Sequence, residues 1–180
     1  MASKKKKATS ADKKKEDLLE YVSKEKSKFK TTRYYFTKTG KPENYVRERY
    51  TSRGQRFYNP KQTQMDDYKN TFKASLLEHE KKYLESLIQD PTKTYYIKLT
   101  MGFYFPIPKA DSKKTTALKE YGVILPAIRP DLDNFDKFIL DVMHDVLYDD
   151  DKRVVEIQSF KKYSSEPRTT IIADVSEYIE

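Results

Sequence analysis

Between Arg129 and Asp151 the chain carries eight aspartates and no glutamate, within a protein of formal net charge +8. A surface helix serving only solubility would mix the two acids. Aspartate, with the shorter side chain, ties its oxygens more closely to the backbone, which suits a hard divalent cation such as magnesium or manganese. Pro130 keeps the chain extended through Asp131, Leu132 and Asp133, so the two carboxylates share a face while Leu132 turns to the core. Held that close they repel, and one must bind a proton unless a cation sits between them. Lys137 lies one turn beyond Asp133, where its stem can lean back toward the pair. Asp149, Asp150 and Asp151 follow in a turn, and a third carboxylate from there would complete a cation site with open positions for water and phosphate. The alternative reading of that run is an acidic turn with no metal.

Other chemistries lack their parts. The sequence has no cysteine and only two histidines, His79 and His144. Thiolate catalysis, Cys-ligated zinc and disulfides are excluded, and a Ser-His triad or histidine-rich metal site is disfavoured. With 4 glycines there is no glycine-rich phosphate loop. The aspartate spacing also lacks the central glycine and distal glutamate of an EF-hand.

The elements that must position these residues are legible from hydrophobic period. Phe135, Phe138, Ile139, Val142, Met143, Val146 and Leu147 fall at i, i+3, i+4, i+7, i+8, i+11 and i+12, a complete apolar stripe. The spacing predicts a helix capped by Asp133 or Asn134 and ending near Tyr148. Asp141 and Asp145 lie off the stripe and are expected to be solvated or paired with nearby bases. A strand from Val154 to about Phe160 should pair with its sequence neighbours and return the triple aspartate to the sheet end where the first pair sits. Tyr95 to Phe105 alternates plainly and is the strongest strand in the chain. Arg33–Thr37 reads as a short strand closed by a turn at Thr39–Pro42. A long helix is predicted from an N-cap at Thr63, with Asp66 completing a capping box, to about Gln89, where Asp90-Pro91 stops it. His79 belongs to its solvated side. The lysine-rich stretch after Pro108 is expected to be a loop or short helix.

Two basic segments stand apart. Arg47, Arg49, Arg53, Arg56 and Lys61 are interleaved with Tyr45, Tyr50, Phe57 and Tyr58, the pairing of phosphate-binding cations and stackable rings expected of a nucleic-acid contact. The rival reading is a surface loop whose aromatics cover the edge of the core. Residues Met1 to about Lys28 form a basic arm, with blocks at Lys4–Lys7 and Lys13–Lys15, expected to be largely disordered with at most a short helix. At 180 residues the rest, 29–180, is long enough for one domain. No stretch approaches a membrane span and no secretory apolar region opens the chain, so a cytoplasmic location without membrane contact is expected.

Several of these segments resemble the RusA-type Holliday-junction resolvases of bacteria and their phages. The resemblance rests on Arg-Pro-Asp-Leu-Asp-Asn (129–134), Lys137, Leu-Tyr-Asp-Asp-Asp (147–151) and Val154-Val155. Phe-Tyr-Phe-Pro-Ile-Pro-Lys (103–109) and Tyr-Asn-Pro-Lys-Gln-Thr (58–63) add to it. It implies a single-domain α/β fold with a mixed sheet flanked by helices, acting as a homodimer. It implies magnesium-dependent cleavage of four-way DNA junctions by paired nicks, with manganese a possible substitute. It implies that Asp131, Asp133 and Asp151 are the catalytic carboxylates and metal ligands and Lys137 the catalytic lysine. Asp150 stands one step from the third position, and counting back from Val154-Val155 favours Asp151. The basic arm and the length of Pro42–Gln55 depart from the family pattern. The competing functions are a flap- or fork-directed nuclease of the same chemistry, and a non-catalytic DNA-binding protein with a structural acidic cluster.

Overall fold

The alternation read along Tyr95–Phe105 forms the central strand of a four-stranded mixed sheet. In chain order the elements are α1 (Ser10–Ser27), β1 (Phe29–Thr39), β2 (Arg49–Thr51), β3 (Arg56–Tyr58), α2 (Gln62–Ser75) and α3 (Glu78–Gln89). These are followed by β4 (Tyr95–Pro106), α4 (Lys113–Glu120), α5 (Leu132–Met143), β5 (Val154–Ser164) and β6 (Arg168–Tyr178). The computed structural model of the protein describes residues 10–51 and 56–179. Strand order is β1-β6-β4-β5, with β2 and β3 forming a separate antiparallel pair. β6 runs antiparallel to β1 and β4, whereas β4 and β5 are parallel. That parallel pair demands a crossover, and α4 and α5 supply it.

One face of the sheet is the core. Tyr95, Ile97, Leu99, Met101, Phe103 and Phe105 of β4 are buried, as are Ile171, Ala173 and Val175 of β6 and Tyr34 and Phe36 of β1. Over them lie Met65, Tyr68 and Phe72 of α2, Leu84 and Leu87 of α3, and the stripe of α5. Rings lock the layers: Phe103 and Phe105 each meet Phe135, at 5.1 and 5.4 Å, and Tyr68 meets Phe138 edge-on at 5.2 Å. Residues of the stripe before and after the helix end, Phe135 to Leu147, are all buried. The opposite face is mixed, carrying the Arg33–Asp174 and Lys98–Glu156 pairs between the rings of Phe29, Tyr96 and Tyr178 at one end and those of Tyr104 and Phe160 at the other.

Several expectations are corrected. The basic arm is helical over Ser10–Ser27, because its Lys, Glu, Ala and Leu content has high helix propensity. Lys4–Lys7 lies outside the described residues. The strand expected at Arg33–Thr37 runs from Phe29 to Thr39, since all eleven residues pair with β6. The long helix to Gln89 is two helices. Leu76 and Leu77 turn extended, and the Glu80 carboxylate accepts the Leu77 N–H at 2.7 Å to start the second. The cap is Lys61 rather than Thr63, and Asp66 bonds the Gln62 side chain instead of closing a capping box.

At the aspartate segment, Leu132 and Asp133 are helical, so Asp131 is the N-cap and the extended stretch stops one residue before Asp133. The helix also stops at Met143, not near Tyr148. Asp145 adopts a left-handed φ of 64°, and both Val146 and Leu147 N–H groups turn back to the Met143 carbonyl. This tight turn keeps the apolar period inside without continuing the helix. The segment without apolar period between β1 and α2 holds the short hairpin of β2 and β3.

Candidate active site on helix α5

The approach to α5 is pinned from below. Lys161 of β5 donates to the Ile128 and Pro130 carbonyls at 2.7 and 3.2 Å, which fixes where Asp131 emerges. As an N-cap, Asp131 would normally accept the N–H of the second or third helical residue through its side chain. It does not, and only its backbone carbonyl is engaged, by Asn134 N–H at 3.2 Å. The carboxylate is left exposed and uncommitted. Asp133, two residues on, is exposed and meets only the Asn134 amide, at 3.4 Å.

Asp133, Lys137 and Asp141 follow at intervals of four, forming one row along the solvent side of α5. Asp136 lies beside that row toward β5. One of its oxygens accepts the Ser159 hydroxyl at 2.8 Å, and the other is buried without a partner. Burial, with the Asp133 charge nearby, raises its pKa above the usual carboxylate value. Asp141 is half-buried, and burial together with the Asp151 charge raises its pKa, while Lys137, Lys69 and His144 act in the opposite sense.

Past the end of α5, the triple aspartate divides its work. Asp149 accepts from Tyr95 Oη at 3.0 Å and from Arg153 Nε at 3.2 Å. Partial burial pushes its carboxyl up, but these donors bring it below the usual range. Asp150 caps the single 3-10 turn Asp151–Arg153, accepting Lys152 N–H at 2.9 Å and pairing with Lys152 Nζ at 2.9 Å. Those two interactions hold its pKa low. Asp151 is exposed and makes no ion pair among the described residues. With Asp141, Lys69 and His144 it borders a cleft of ≈ 480 Å³.

Charge pairing therefore sorts the eight aspartates. Asp145, Asp149 and Asp150 have cationic partners within the chain, whereas Asp131, Asp133, Asp136, Asp141 and Asp151 have none among the described residues. In a chain of net charge +8, leaving five carboxylates unpaired on or beside one helix concentrates negative potential there. The oxygens are of the type that binds magnesium or manganese. They are distributed along α5, however. Asp131 and Asp133 stand at its start, Asp141 and Asp151 at its end, and eight residues of helix span about 12 Å. Among the described residues no three His, Asp or Glu side chains are gathered closely enough to hold an ion.

This segment lies within the match to a family model. Residues 39–173 match the model described as Endodeoxyribonuclease RusA, which covers the site, β2 to β5, the first half of β6 and every helix but the first. The chain belongs to the RusA family. The mixed α/β sheet with flanking helices is the fold expected of it. An "Uncharacterized protein YqaN" of Bacillus subtilis (strain 168) is 33% identical over 90 residues, covering 49% of this chain and 60% of that relative. Outside the site, among the described residues, no helix is long and apolar enough to cross a membrane.

The basic segment expected to meet nucleic acid also has a place within the RusA match. Arg47 and Arg49 are exposed, Arg49 opening β2 and Arg56 opening β3. Lys61 is drawn into an ion pair with Glu43 instead, and Arg53 lies outside the described residues. Tyr50 and Phe57 face each other across the hairpin with ring centroids 5.2 Å apart, and are 54% and 71% exposed. Those rings do not cover the core edge. Tyr45 does pack against the core, and its ring lies 3.9 Å from Lys137 Nζ. The sequence pattern places Tyr45 in the basic loop and Asp141 in solvent or paired with nearby bases. The i+4 spacing of Asp141 from Lys137 was the available signal for the second, and nothing in the sequence signalled the first.

Proposed function

We propose that this member of the RusA family is a metal-dependent endonuclease that nicks branched DNA, resolving four-way junctions as a homodimer. The observation that carries the reading is the set of unpaired carboxylates strung along α5, Asp131 and Asp133 at its start before Lys137 and Asp151 beyond its end, in the segment that matches the family. In this reading the three aspartates hold magnesium, or manganese in its place, and their lack of internal ion pairs supports that role. A bound ion of this kind lowers the pKa of a coordinated water and neutralises charge on a scissile phosphate. Lys137 offers its ammonium to the charge that develops on the phosphate or the leaving oxygen. Arg47, Arg49, Arg53 and Arg56 contact backbone phosphates, and Tyr50 and Phe57 offer faces to bases unstacked at a branch. A two-fold dimer suits a junction, because it presents one site to each of two opposed strands.

The test is cleavage of a synthetic four-way junction, a flap and a plain duplex at matched salt, with and without magnesium. The expected result is metal-dependent nicking with the junction preferred, abolished in Asp131→Asn and Asp133→Asn while junction binding persists. Preference for the flap would redirect the substrate, and no nicking of any branched DNA would leave a binding protein. Normal cutting by either variant would refute the site assignment.

A further inference from the structure

Lys137 is flanked on its own helix by two carboxylates, Asp133 four residues before and Asp141 four residues after. Acid–lysine pairs at that spacing ordinarily form on an exposed helix. Here neither does, since Lys137 makes no ion pair among the described residues. Its ammonium sits instead over the ring of Tyr45, 3.9 Å from the centroid, well inside the range of about 6 Å over which a cation is attracted to an aromatic face.

The ring is not there by chance collapse of a loose loop. Tyr45 N–H donates to the Asn134 carbonyl at 2.8 Å, on the first turn of α5. Asn44 Nδ2 donates to the Tyr45 carbonyl at 2.8 Å, and Glu43 is tied to Lys61 just before α2. The loop from β1 to β2 is therefore stitched to the helix that carries the aspartates, and the Tyr45 ring is packed against the core.

We propose that Tyr45 is the positioning residue for Lys137. The inference rests on the nuclease reading of α5 given above. By holding the ammonium over a neutral face, Tyr45 prevents it from closing an ion pair with Asp133 or Asp141. The carboxylates stay free for a cation, and the ammonium keeps its full charge for a phosphate. An aliphatic residue at position 45 would keep the backbone bond to Asn134 but release Lys137 to pair along its own helix. Only the ring is needed, so phenylalanine should serve.

Lysine NMR and junction cleavage together test this. In the wild-type protein the ε-methylene signals of Lys137, assigned by their loss in Lys137→Gln, should be shifted upfield by the ring current. The shift should persist in Tyr45→Phe and vanish in Tyr45→Leu. Tyr45→Leu should lower kcat on a four-way junction roughly two- to fivefold, the scale of one solvent-exposed cation–π interaction, with junction Kd unchanged and Tyr45→Phe near wild type. Lys137 signals at ordinary positions in the wild-type protein would overturn the positioning role, and that measurement needs no variant at position 45 to fold. Equal kcat for Tyr45→Leu and wild type would overturn it as well. Shifted Lys137 signals in a wild-type protein that nicks no DNA would instead overturn the nuclease reading and leave the cation–π pair without a catalytic purpose.

Discussion

Three adjacent aspartates with one side-chain chemistry are given three jobs by their neighbours. Asp149 is fastened to Tyr95 and Arg153, whose guanidinium also lies 4.3 Å from the Tyr95 ring centroid. Asp150 caps a turn, and Asp151 is left free. Their acid responses should differ accordingly. The folded-state pKa of Asp149 lies below its ordinary value of 3.8, so its stabilising contribution is complete above that value and is lost as the pH falls through the lowered one. Asp149→Asn should cost about 1 kcal/mol at neutral pH, discounted because the pair is partly solvated, and should flatten the acid limb of a melting-temperature profile. Asp151→Asn should leave the neutral melting temperature almost unchanged, within about 0.5 kcal/mol of stability. A profile for Asp149→Asn that parallels the wild type down to low pH would refute the assignment. The run itself was plain in the sequence, but its division was not. Which oxygen meets Arg153 or Lys152 depends on a 3-10 turn that residue types alone do not specify.

The elements that position the site were largely readable, because most of them are specified by one-sided burial. The alternation of β4 and the stripe of α5 both predict the observed core. Failures cluster where a local interaction overrides the period. The apolar spacing continues through Leu76 and Leu77 although Glu80 breaks the helix there, and it continues past Met143 although Asp145 turns left-handed. The hairpin of β2 and β3 had no period to read, since its rings point outward. That exposure supports its proposed role in binding DNA, and the role is measurable. Replacing both Arg47 and Arg49 by glutamine should weaken junction binding and reduce the slope of log affinity against log salt by about 2, one for each phosphate no longer neutralised. An unaltered slope would remove this hairpin from the interface, whatever the effect on cleavage.

Taken as a whole, the molecule spreads its uncommitted carboxylates over the length of α5, with Lys137 midway between Asp133 and Asp141. A hard cation binds through several oxygens at once, so one end of this row is a poor site by itself. If the proposed homodimer packs its two α5 helices antiparallel about a two-fold near Lys137, then Asp131 and Asp133 of one copy approach Asp141 and Asp151 of the other. The like charges that would then face each other are those a divalent ion relieves. The expectation is complementation between two inactive variants. Asp133→Asn and Asp151→Asn should each be dead alone. Mixed by unfolding and refolding together, they should form dimers in which one shared site has lost both carboxylates and the other keeps both. With random pairing, about half the dimers are mixed and each carries one intact site, so nicking should return to about a quarter of the wild-type level. The recovered activity should cut a single strand of each junction, because the second site in every active dimer is doubly disabled. If both parents are dimeric and the mixture stays silent, the site is not shared between copies, and α5 must draw its two ends together within one chain.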